Sequence, residues 1–262
     1  MSHSLRRRLS LSLDELTNDP HQAARSILTL ASQGDSEAQV LLGQILLEGR
    51  GISADPPLGL TWFSIAAAQG NAMAHNMLGR CHEHGRGCAV DLPAAAAHYQ
   101  QAAAAGLDWG LYNLANLLAT GRGVAQDVPR ALSLYQQAAA LGHAKSMNLV
   151  GRHLEEGWGI AQDVAQAHAW YRRAAEAGDF RGQFSHACVL AEQGAMAEAE
   201  PWLQRALQTG NRNFLRTAHA TLLQSPIAAL SAWAPAYAQR LAAFTEAQPP
   251  APSLPLQPAI TA

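Results

Sequence analysis

Apolar, helix-favouring residues occur in short runs along the chain, and each run is closed by glycine. Residues 111–119, LYNLANLLA, form one such run, and the glycines of GRG at 121–123 follow it. Because glycine readily adopts the left-handed backbone of a helix exit, the pattern predicts a helix that ends there. A second run, ALSLYQQAAALG, starts shortly after Asp127 and ends at Gly142. Asp127 is a candidate N-cap and Pro129 lies in the first turn, so the pattern predicts two consecutive helices.

This two-helix pattern repeats every 36 residues. Glycine and aspartate recur in columns at that spacing: Gly49, Gly85, Gly121 and Gly157; Gly51, Gly87, Gly123 and Gly159; and Asp55, Asp91, Asp127 and Asp163. A fixed period of this length is the signature of a tandem-repeat architecture, in which each unit buries its apolar face against its neighbours. Abundant alanine fits helices that approach one another closely.

The columns belong to a longer motif that recurs four times. It stands as GRGISADPPLGLTWFSIAAAQG from Gly49, GRGCAVDLPAAAAHYQQAAAAG from Gly85, GRGVAQDVPRALSLYQQAAALG from Gly121 and GWGIAQDVAQAHAWYRRAAEAG from Gly157. This motif resembles the repeat of the Sel-one-like family, a branch of the tetratricopeptide superfamily, over residues 21–213. The resemblance implies an all-α, right-handed α-solenoid of stacked antiparallel helix pairs. It also implies adaptor work, in which the solenoid gathers other proteins into a complex.

The period divides the chain into about five 36-residue repeats with terminal capping helices. We expect a flexible N-terminus over residues 1–20, a repeat solenoid over 21–246 and a disordered, proline-rich tail over 247–262. The predicted solenoid consists of units at about 38–73, 74–109, 110–145, 146–181 and 182–213, followed by a C-terminal cap at 214–246. Two places depart from the motif. The step from Gly178 to Gly210 is only 32 residues, and His98 stands where other units have a large apolar residue.

Charge and cysteine content exclude several classes of protein. The 18 Lys and Arg residues nearly cancel the 20 Asp and Glu residues, giving a net charge of −2. That balance argues against a protein that coats nucleic acid or an anionic membrane. Three cysteines are an odd number and form no disulfide framework. Neither a signal peptide nor a run of 18 apolar residues is recognisable. We therefore expect a cytoplasmic monomer with no nucleic-acid partner and no membrane insertion.

The densest group of metal-ligand residue types is Cys81, His82, His84 and Cys88. Thiolate and imidazole at this spacing are able to hold zinc. However, His82 and Cys88 fall in columns that are apolar in the other units, which leaves Cys81 and His84 as the members expected to point outward. The sequence also lacks the nucleophile, phosphate-loop and metalloprotease motifs of common enzymes. We therefore predict no metal, no cofactor and no enzymatic activity.

The better candidate site is the concave groove that the resemblance places along the first helix of each unit. Positions spaced +3, +4 and +3 share one face of a helix. The candidate peptide-binding residues selected in this way are Asn76, Arg80, Trp109, Tyr112, Asn116, Lys145, Asn148, Arg152, Arg181 and Phe184. Amides pair with a peptide backbone, cations pair with carboxylates, and aromatic rings anchor side chains. The set is similar to the carboxylate-clamping grooves of some tetratricopeptide domains.

These residues predict an adaptor that binds a peptide segment, acidic or C-terminal, of another protein. A competing interpretation pairs Glu83 with Arg80 and Glu155 with Arg152, which would leave a salt-bridged surface without a ligand. Two other functions stay open from the sequence. One is a metal-binding or enzymatic protein that uses the segment from Cys81 to Cys88. The other is a purely structural scaffold that associates with itself.

Overall fold

A computed structural model describes residues 19–246, and every regular element in that range is an α-helix. The helices are Pro20–Ser32 (α1), Ser36–Glu48 (α2), Pro56–Ala68 (α3), Ala72–His84 (α4), Leu92–Ala104 (α5), Asp108–Thr120 (α6), Val128–Ala140 (α7), Ala144–Glu156 (α8), Val164–Glu176 (α9), Phe180–Glu192 (α10), Met196–Thr209 (α11), Arg212–Gln224 (α12), Ala228–Ser231 (α13) and Ala234–Glu246 (α14). The proline-rich tail predicted for residues 247–262 lies outside the described residues. So does the predicted flexible N-terminus, except for residues 19 and 20, of which Pro20 begins α1.

The described residues divide into two compact units, one ending at Trp170 and the other beginning at Tyr171. In the first unit α2 packs on α3, α4 on α5 and α6 on α7, and each of these pairs also packs on the next. The predicted all-α fold of consecutive, packed helix pairs is thereby confirmed. No helix between residues 19 and 246 is both long and apolar enough to cross a lipid bilayer.

Aspartate begins each second helix of the first unit. The Asp55, Asp91 and Asp127 carboxylates accept the backbone N–H three residues later at 2.9–3.0 Å. Each cap satisfies an amide that has no partner within the helix and contributes about 1 kcal/mol. Proline in the first turn fixes a helical φ without losing a hydrogen bond. The predicted cap at Asp127 is therefore confirmed.

The two glycines of each GxG loop do different work. Gly121 ends α6 in the left-handed conformation, with a φ of 70°, which a side chain would strain. Gly123 lies so close to the start of α5 that a Cβ there would come within 2.5 Å of the Leu92 carbonyl carbon. Gly87 approaches Pro56 at the start of α3 in the same way. The second glycine thus lets each loop pack directly on the preceding helix pair.

An aromatic column runs through the core of the first unit. Phe63, Tyr99 and Tyr135, one repeat apart, are almost completely buried. The rings of Phe63 and Tyr99 pack directly against glycine, because a Cβ on Gly43 or Gly79 would come within 2.5 Å of the ring. A glycine on the first helix thus makes room for a large ring on the second helix. This complementary packing sets the distance between the paired helices.

The second unit has its own core, built from α10 to α14. Phe184, Leu203 and Leu215 are buried there together with Tyr237, whose hydroxyl donates to the Leu203 carbonyl oxygen at 2.9 Å. The region predicted as the C-terminal cap, residues 214–246, contains most of α12 and the two helices α13 and α14. The break between α13 and α14 lies just before Pro235, whose ring is accommodated in the first turn of α14.

Candidate functional site

Helix α6 carries three of the predicted groove residues on one face. Trp109, Tyr112 and Asn116 follow one another at helical spacing. The Trp109 side chain is 38% exposed, while Tyr112 and Asn116 are half-buried. The face therefore offers two rings and an amide to an approaching molecule without further rearrangement of the helix.

The rings of α6 join a side-chain cluster at the start of α8. The His143 ring lies 4.7 Å from both the Trp109 and Tyr112 rings, and the Lys145 ammonium group lies 4.8 Å from the Trp109 ring centroid. Such a cation over an indole face is electrostatically attracted to it. His143 also caps α8, because its Nδ1 accepts the backbone N–H of Ser146. Burial lowers the pKa of His143, which favours the neutral ring that this cap requires.

The Asn116 end of this face opens into a cavity of about 880 Å³. Its lining comes from the ends of first helices, from α7 and from two GxG loops: Glu83, Asn116, Ala119, Thr120, Arg122, Gln126, Val128, Tyr135, Leu149, His153, Gly157, Trp158 and Gly159. Of the ten candidate peptide-binding residues, only Asn116 lines this cavity. The volume is in the range of sites that hold small molecules or side chains.

Two hydrogen bonds fix the polar edge of the cavity. The Tyr135 hydroxyl donates to Asn116 Oδ1 at 2.7 Å, which turns the Asn116 amide so that its Nδ2 remains a donor. Burial raises the pKa of Tyr135, so the phenol stays protonated and keeps this bond. His153 Nδ1 lies 2.8 Å from the Trp158 carbonyl oxygen. Because a carbonyl only accepts, Nδ1 carries the proton in this bond, and in that tautomer Nε2 is the acceptor nitrogen.

Glu83 is held at the cavity wall by two partners. It accepts the Tyr99 hydroxyl at 2.7 Å and pairs with Arg122 at 3.0 Å. The sequence interpretation that pairs Glu83 with Arg80 is therefore wrong for this residue. The cause is the repeat geometry, which brings the next GxG loop over the last turn of α4. The Arg80 guanidinium is exposed and lies 3.9 Å from the Met77 sulfur.

Three predicted groove residues are buried in this conformation. Asn76 is 3% exposed, and its Oδ1 accepts the Asn113 amide at 2.8 Å. Asn148 is 2% exposed, and Phe184 is 9% exposed and packs in the core of the second unit. Because these three side chains are buried, they are not accessible to a ligand in this conformation. Helix packing turns this edge of the predicted face inward.

The other predicted residues are placed as follows. Arg152 is exposed and lies over the Trp158 ring, with 5.2 Å between the guanidinium carbon and the ring centroid. Arg181, in the second unit, is exposed and lies over the Phe180 ring at 4.6 Å. The structure thus unites Trp109, Tyr112 and Lys145 in one cluster, and it places Arg152 beside the cavity.

Four functional candidates were missed by the sequence reasoning: Arg122, Tyr135, His153 and Trp158. Trp158 carried a readable signal, since it occupies the central position of GWG where the three earlier loops have arginine. The others sit in ordinary positions of the motif. Their role depends on which side chains the packing brings to the same cavity, and a single sequence does not show this.

The cysteine and histidine group predicted around residue 81 differs from expectation in one respect. Cys81 does not point outward: it is 1% exposed and packs in the core with Phe63 and Met77. Burial, followed by the nearby Cys88, raises the pKa of the Cys81 thiol to about 11. His84 is exposed.

A histidine cluster borders this segment. His75 Nδ1 and His98 Nδ1 are 3.2 Å apart, and the His82 ring stacks on His98 with centroids 5.6 Å apart. The Cys88 sulfur lies 3.6 Å from His82 Nδ1. Within residues 19–246, no three His, Cys, Asp or Glu side chains are grouped as a metal site. Burial, followed by the neighbouring His75 and His82, lowers the pKa of His98.

Comparison with solved structures places this fold among known repeat proteins. A Sel1 repeat protein from Oxalobacter formigenes is similar at a TM-score of 0.71 and 23% identity, over 89% of this chain and 96% of that one. A protective antigen with an SLR fold from uropathogenic Escherichia coli is similar at 0.66 and 23%, over 90% of this chain and 53% of that one. An immunity protein from Pseudomonas aeruginosa gives 0.54 and 15%, over 80% and 81%. At these identities the likeness establishes the fold.

A family model described as Sel1 repeat matches residues 36–71, 72–107, 110–143 and 144–179. The search of curated proteins produced no match. Sel1 repeat proteins generally act as modules for protein interaction. The four matched repeats cover more than half of the sequence and coincide with its 36-residue period, so the chain belongs to the Sel1 repeat family.

Proposed function

We propose that this protein is a non-enzymatic adaptor that holds an extended peptide segment of another protein along the first helices α4, α6 and α8. The observation that carries the proposal is the row of Trp109, Tyr112 and Asn116 on α6, which runs from an aromatic cluster to a cavity of about 880 Å³. A continuous accessible row of rings and amide donors is suited to a chain, because both side chains and backbone find partners.

The charge around this row indicates the kind of peptide. Arg80, Asn116 and Arg152 are one repeat apart and therefore occupy equivalent positions of α4, α6 and α8. Both arginines are exposed. The guanidinium groups of Arg80 and Arg152 lie at helix positions equivalent to that of the Asn116 amide donor. They favour a peptide segment that carries carboxylates, either on acidic side chains or at its C-terminus. The pairing of Glu83 with Arg122 supports this assignment, since Arg80 is then not neutralised by Glu83.

Selection from random peptides tests the proposal. One phage library would display peptides with free C-termini, and a second would display the same peptides with a C-terminal extension. Selected peptides are synthesised with a fluorescent label, and their affinity is measured by fluorescence anisotropy. We expect selected sequences to be enriched in Asp and Glu, or to require the free C-terminus.

Arginine variants then locate the site. Arg80→Ala/Arg152→Ala is expected to weaken binding by about tenfold or more, because charge-assisted hydrogen bonds are lost. Arg130→Ala is the matched control, since Arg130 is also exposed but lies on α7. Equal affinity of the double variant and the control, with unchanged circular dichroism, would show that the peptide binds elsewhere. Failure to select any peptide would refute the proposed function.

A further inference from the structure

The central arginines of the second and third GxG loops, Arg86 and Arg122, reach back to the preceding repeat. The Arg86 guanidinium donates to the Leu47 carbonyl oxygen at 3.1 Å, and the Arg122 guanidinium donates to Glu83 Oε1 at 3.0 Å. Both contacts span 39 residues. The arginine of one loop thus lies over the last turn of the first helix before it, and the second of these contacts is an ion pair.

The next loop breaks this arrangement. Its central residue is Trp158, and the residue 39 positions before it is Ala119. Both line the cavity of about 880 Å³. At this one step of the repeat, the carboxylate and the guanidinium are therefore both missing, and an indole and a methyl group stand in their places. At this step the cavity is lined by Trp158 and Ala119, and the ion pair of the preceding step, Glu83 and Arg122, lines it as well.

The walls of this cavity are aromatic and its edge is polar. The Trp158 side chain is 43% exposed, and the His153 ring packs edge-on against it with centroids 5.7 Å apart. The Tyr135 ring lies 5.7 Å from the His153 ring. Asn116 Nδ2 supplies a donor, and His153 Nε2 supplies an acceptor when Nδ1 donates to the Trp158 carbonyl oxygen. Rings at such walls bind another ring through offset or edge-to-face contacts.

Cationic side chains are poor occupants of this space. Glu83, the carboxylate at the wall, is already paired with Arg122. The Trp158 ring, which would attract a cation, is already covered by Arg152 at 5.2 Å. A second cation would meet these two arginines without gaining either partner. An uncharged ring meets no such repulsion.

We propose that this cavity is the specificity pocket of the peptide-binding face and that it takes up one aromatic side chain of the bound peptide. This inference rests on the proposed function and adds the class of peptide side chain that the cavity selects. Asn116 Nδ2 donates to a carbonyl oxygen of the peptide, and the aromatic ring of the peptide packs against the exposed Trp158 side chain. Tryptophan and tyrosine fit best, because their N–H or O–H group has His153 Nε2 as an acceptor.

The ring preference is tested with amino-acid amides by nuclear magnetic resonance. The probes are N-acetyl-tryptophanamide and N-acetyl-tyrosinamide, compared with N-acetyl-leucinamide and N-acetyl-argininamide. The indole N–H signal of Trp158, assigned from its loss in Trp158→Phe, is followed during titration. We expect a saturable shift with the aromatic amides and about tenfold weaker binding of the leucine and arginine amides. Equal binding of all four amides would overturn the proposal.

A variant that fills the cavity provides a control in the protein itself. Ala119→Glu/Trp158→Arg rebuilds the ion pair that the preceding repeat contains and should fill the space without changing the fold. We expect it to lose at least about tenfold in affinity for an aromatic peptide or amide. Ala119→Leu narrows the same cavity while keeping Trp158 as a reporter, so it answers the question even if the double variant does not fold. Unchanged affinity in a folded filling variant would overturn the pocket.

The two proposals fail in different ways. Selected peptides that respond to Arg80→Ala/Arg152→Ala but not to Ala119→Leu would support the face and refute the pocket. Saturable binding of aromatic amides by a protein that selects no peptide would refute the proposed function and support the aromatic preference of the cavity.

Discussion

The Tyr135 hydroxyl donates to Asn116 Oδ1 across 2.7 Å, and this bond joins a core residue of α7 to the edge of α6 that lines the cavity. One repeat earlier the corresponding tyrosine, Tyr99, donates to Glu83 instead. The same aromatic column therefore supports a different polar partner in each repeat. In the third repeat that partner is the amide that we place at the peptide backbone.

Removing the Tyr135 hydroxyl should affect both stability and binding. Tyr135→Phe leaves the ring in place but removes the hydroxyl that donates to Asn116 Oδ1. We therefore expect a loss of about 1 kcal/mol in the free energy of unfolding. Peptide affinity should fall as well, because the Asn116 amide is no longer held in one orientation. Urea denaturation and fluorescence anisotropy measure the two effects.

A double-mutant cycle assigns those losses to the bond itself. Combining Tyr135→Phe with Asn116→Ala should cost less than the sum of the two single changes, since both remove the same interaction. Strict additivity of the three unfolding free energies would mean that the two side chains act independently.

Gly79 should be intolerant of alanine even though it lies inside a helix. Alanine normally stabilises a helix relative to glycine, but a Cβ on Gly79 would lie 2.5 Å from the Tyr99 ring. We expect Gly79→Ala to destabilise the protein by about 1–3 kcal/mol, the typical effect of an overpacked core. Thermal or urea denaturation measures it.

A second background tests whether the Tyr99 ring causes the loss of stability in Gly79→Ala. In a Tyr99→Leu background, the smaller side chain leaves room for the methyl group, and Gly79→Ala should then cost much less. The same penalty in both backgrounds would trace the effect to the helix backbone instead.

Cys81 should resist thiol reagents in the folded protein. It is buried, and its pKa is raised to about 11, so very little reactive thiolate is present near neutral pH. Cys88 and Cys188 are only half-buried. We expect Ellman's reagent to modify these two first and Cys81 only on unfolding. Cys81→Ala should keep both early phases, and loss of one of them would show that Cys81 is accessible.

The helix pairs could be predicted from the sequence because their determinants are local and repeated. The Asp127 cap and the Gly121 exit each act within one turn of the chain, and the 36-residue period shows them again in each unit. Four observations of one pattern outweigh the ambiguity of any single helix. The fold class and the family followed from that repetition.

The site was less predictable because it depends on contacts between repeats. Helical spacing selects a face but leaves its rotation uncertain by one residue, which is enough to bury Asn148 while Leu149 and His153 line the cavity. Asn76 likewise accepts a hydrogen bond from Asn113, which lies on the first helix of the following repeat. The cavity follows from comparing Trp158 with Ala119, 39 positions apart, which matters only once the loop is known to cover that helix end.

His98 should make the stability of the protein depend on pH. It replaces a large apolar residue of the repeat, and burial together with the neighbouring His75 and His82 lowers its pKa below the ordinary 6.5. The folded state therefore binds fewer protons than the unfolded state between the two pKa values. The contribution of the neutral His98 to the free energy of unfolding is therefore fully present above about pH 6.5. It is lost as the pH falls from there through the pKa of His98 in the folded state. His143 has a lowered pKa too and acts in the same direction.

His98→Leu should reduce this acid sensitivity. Leucine matches Leu134, which occupies the same position one repeat later, and it cannot be protonated. We expect the variant to lose less stability than the wild type between pH 7 and about pH 5, measured as urea midpoints in that range. Some pH dependence should remain because His143 is still present. His21→Leu, at an exposed position of α1, is the matched control. A pH dependence equal to that of the wild type in His98→Leu would place the sensitive group elsewhere.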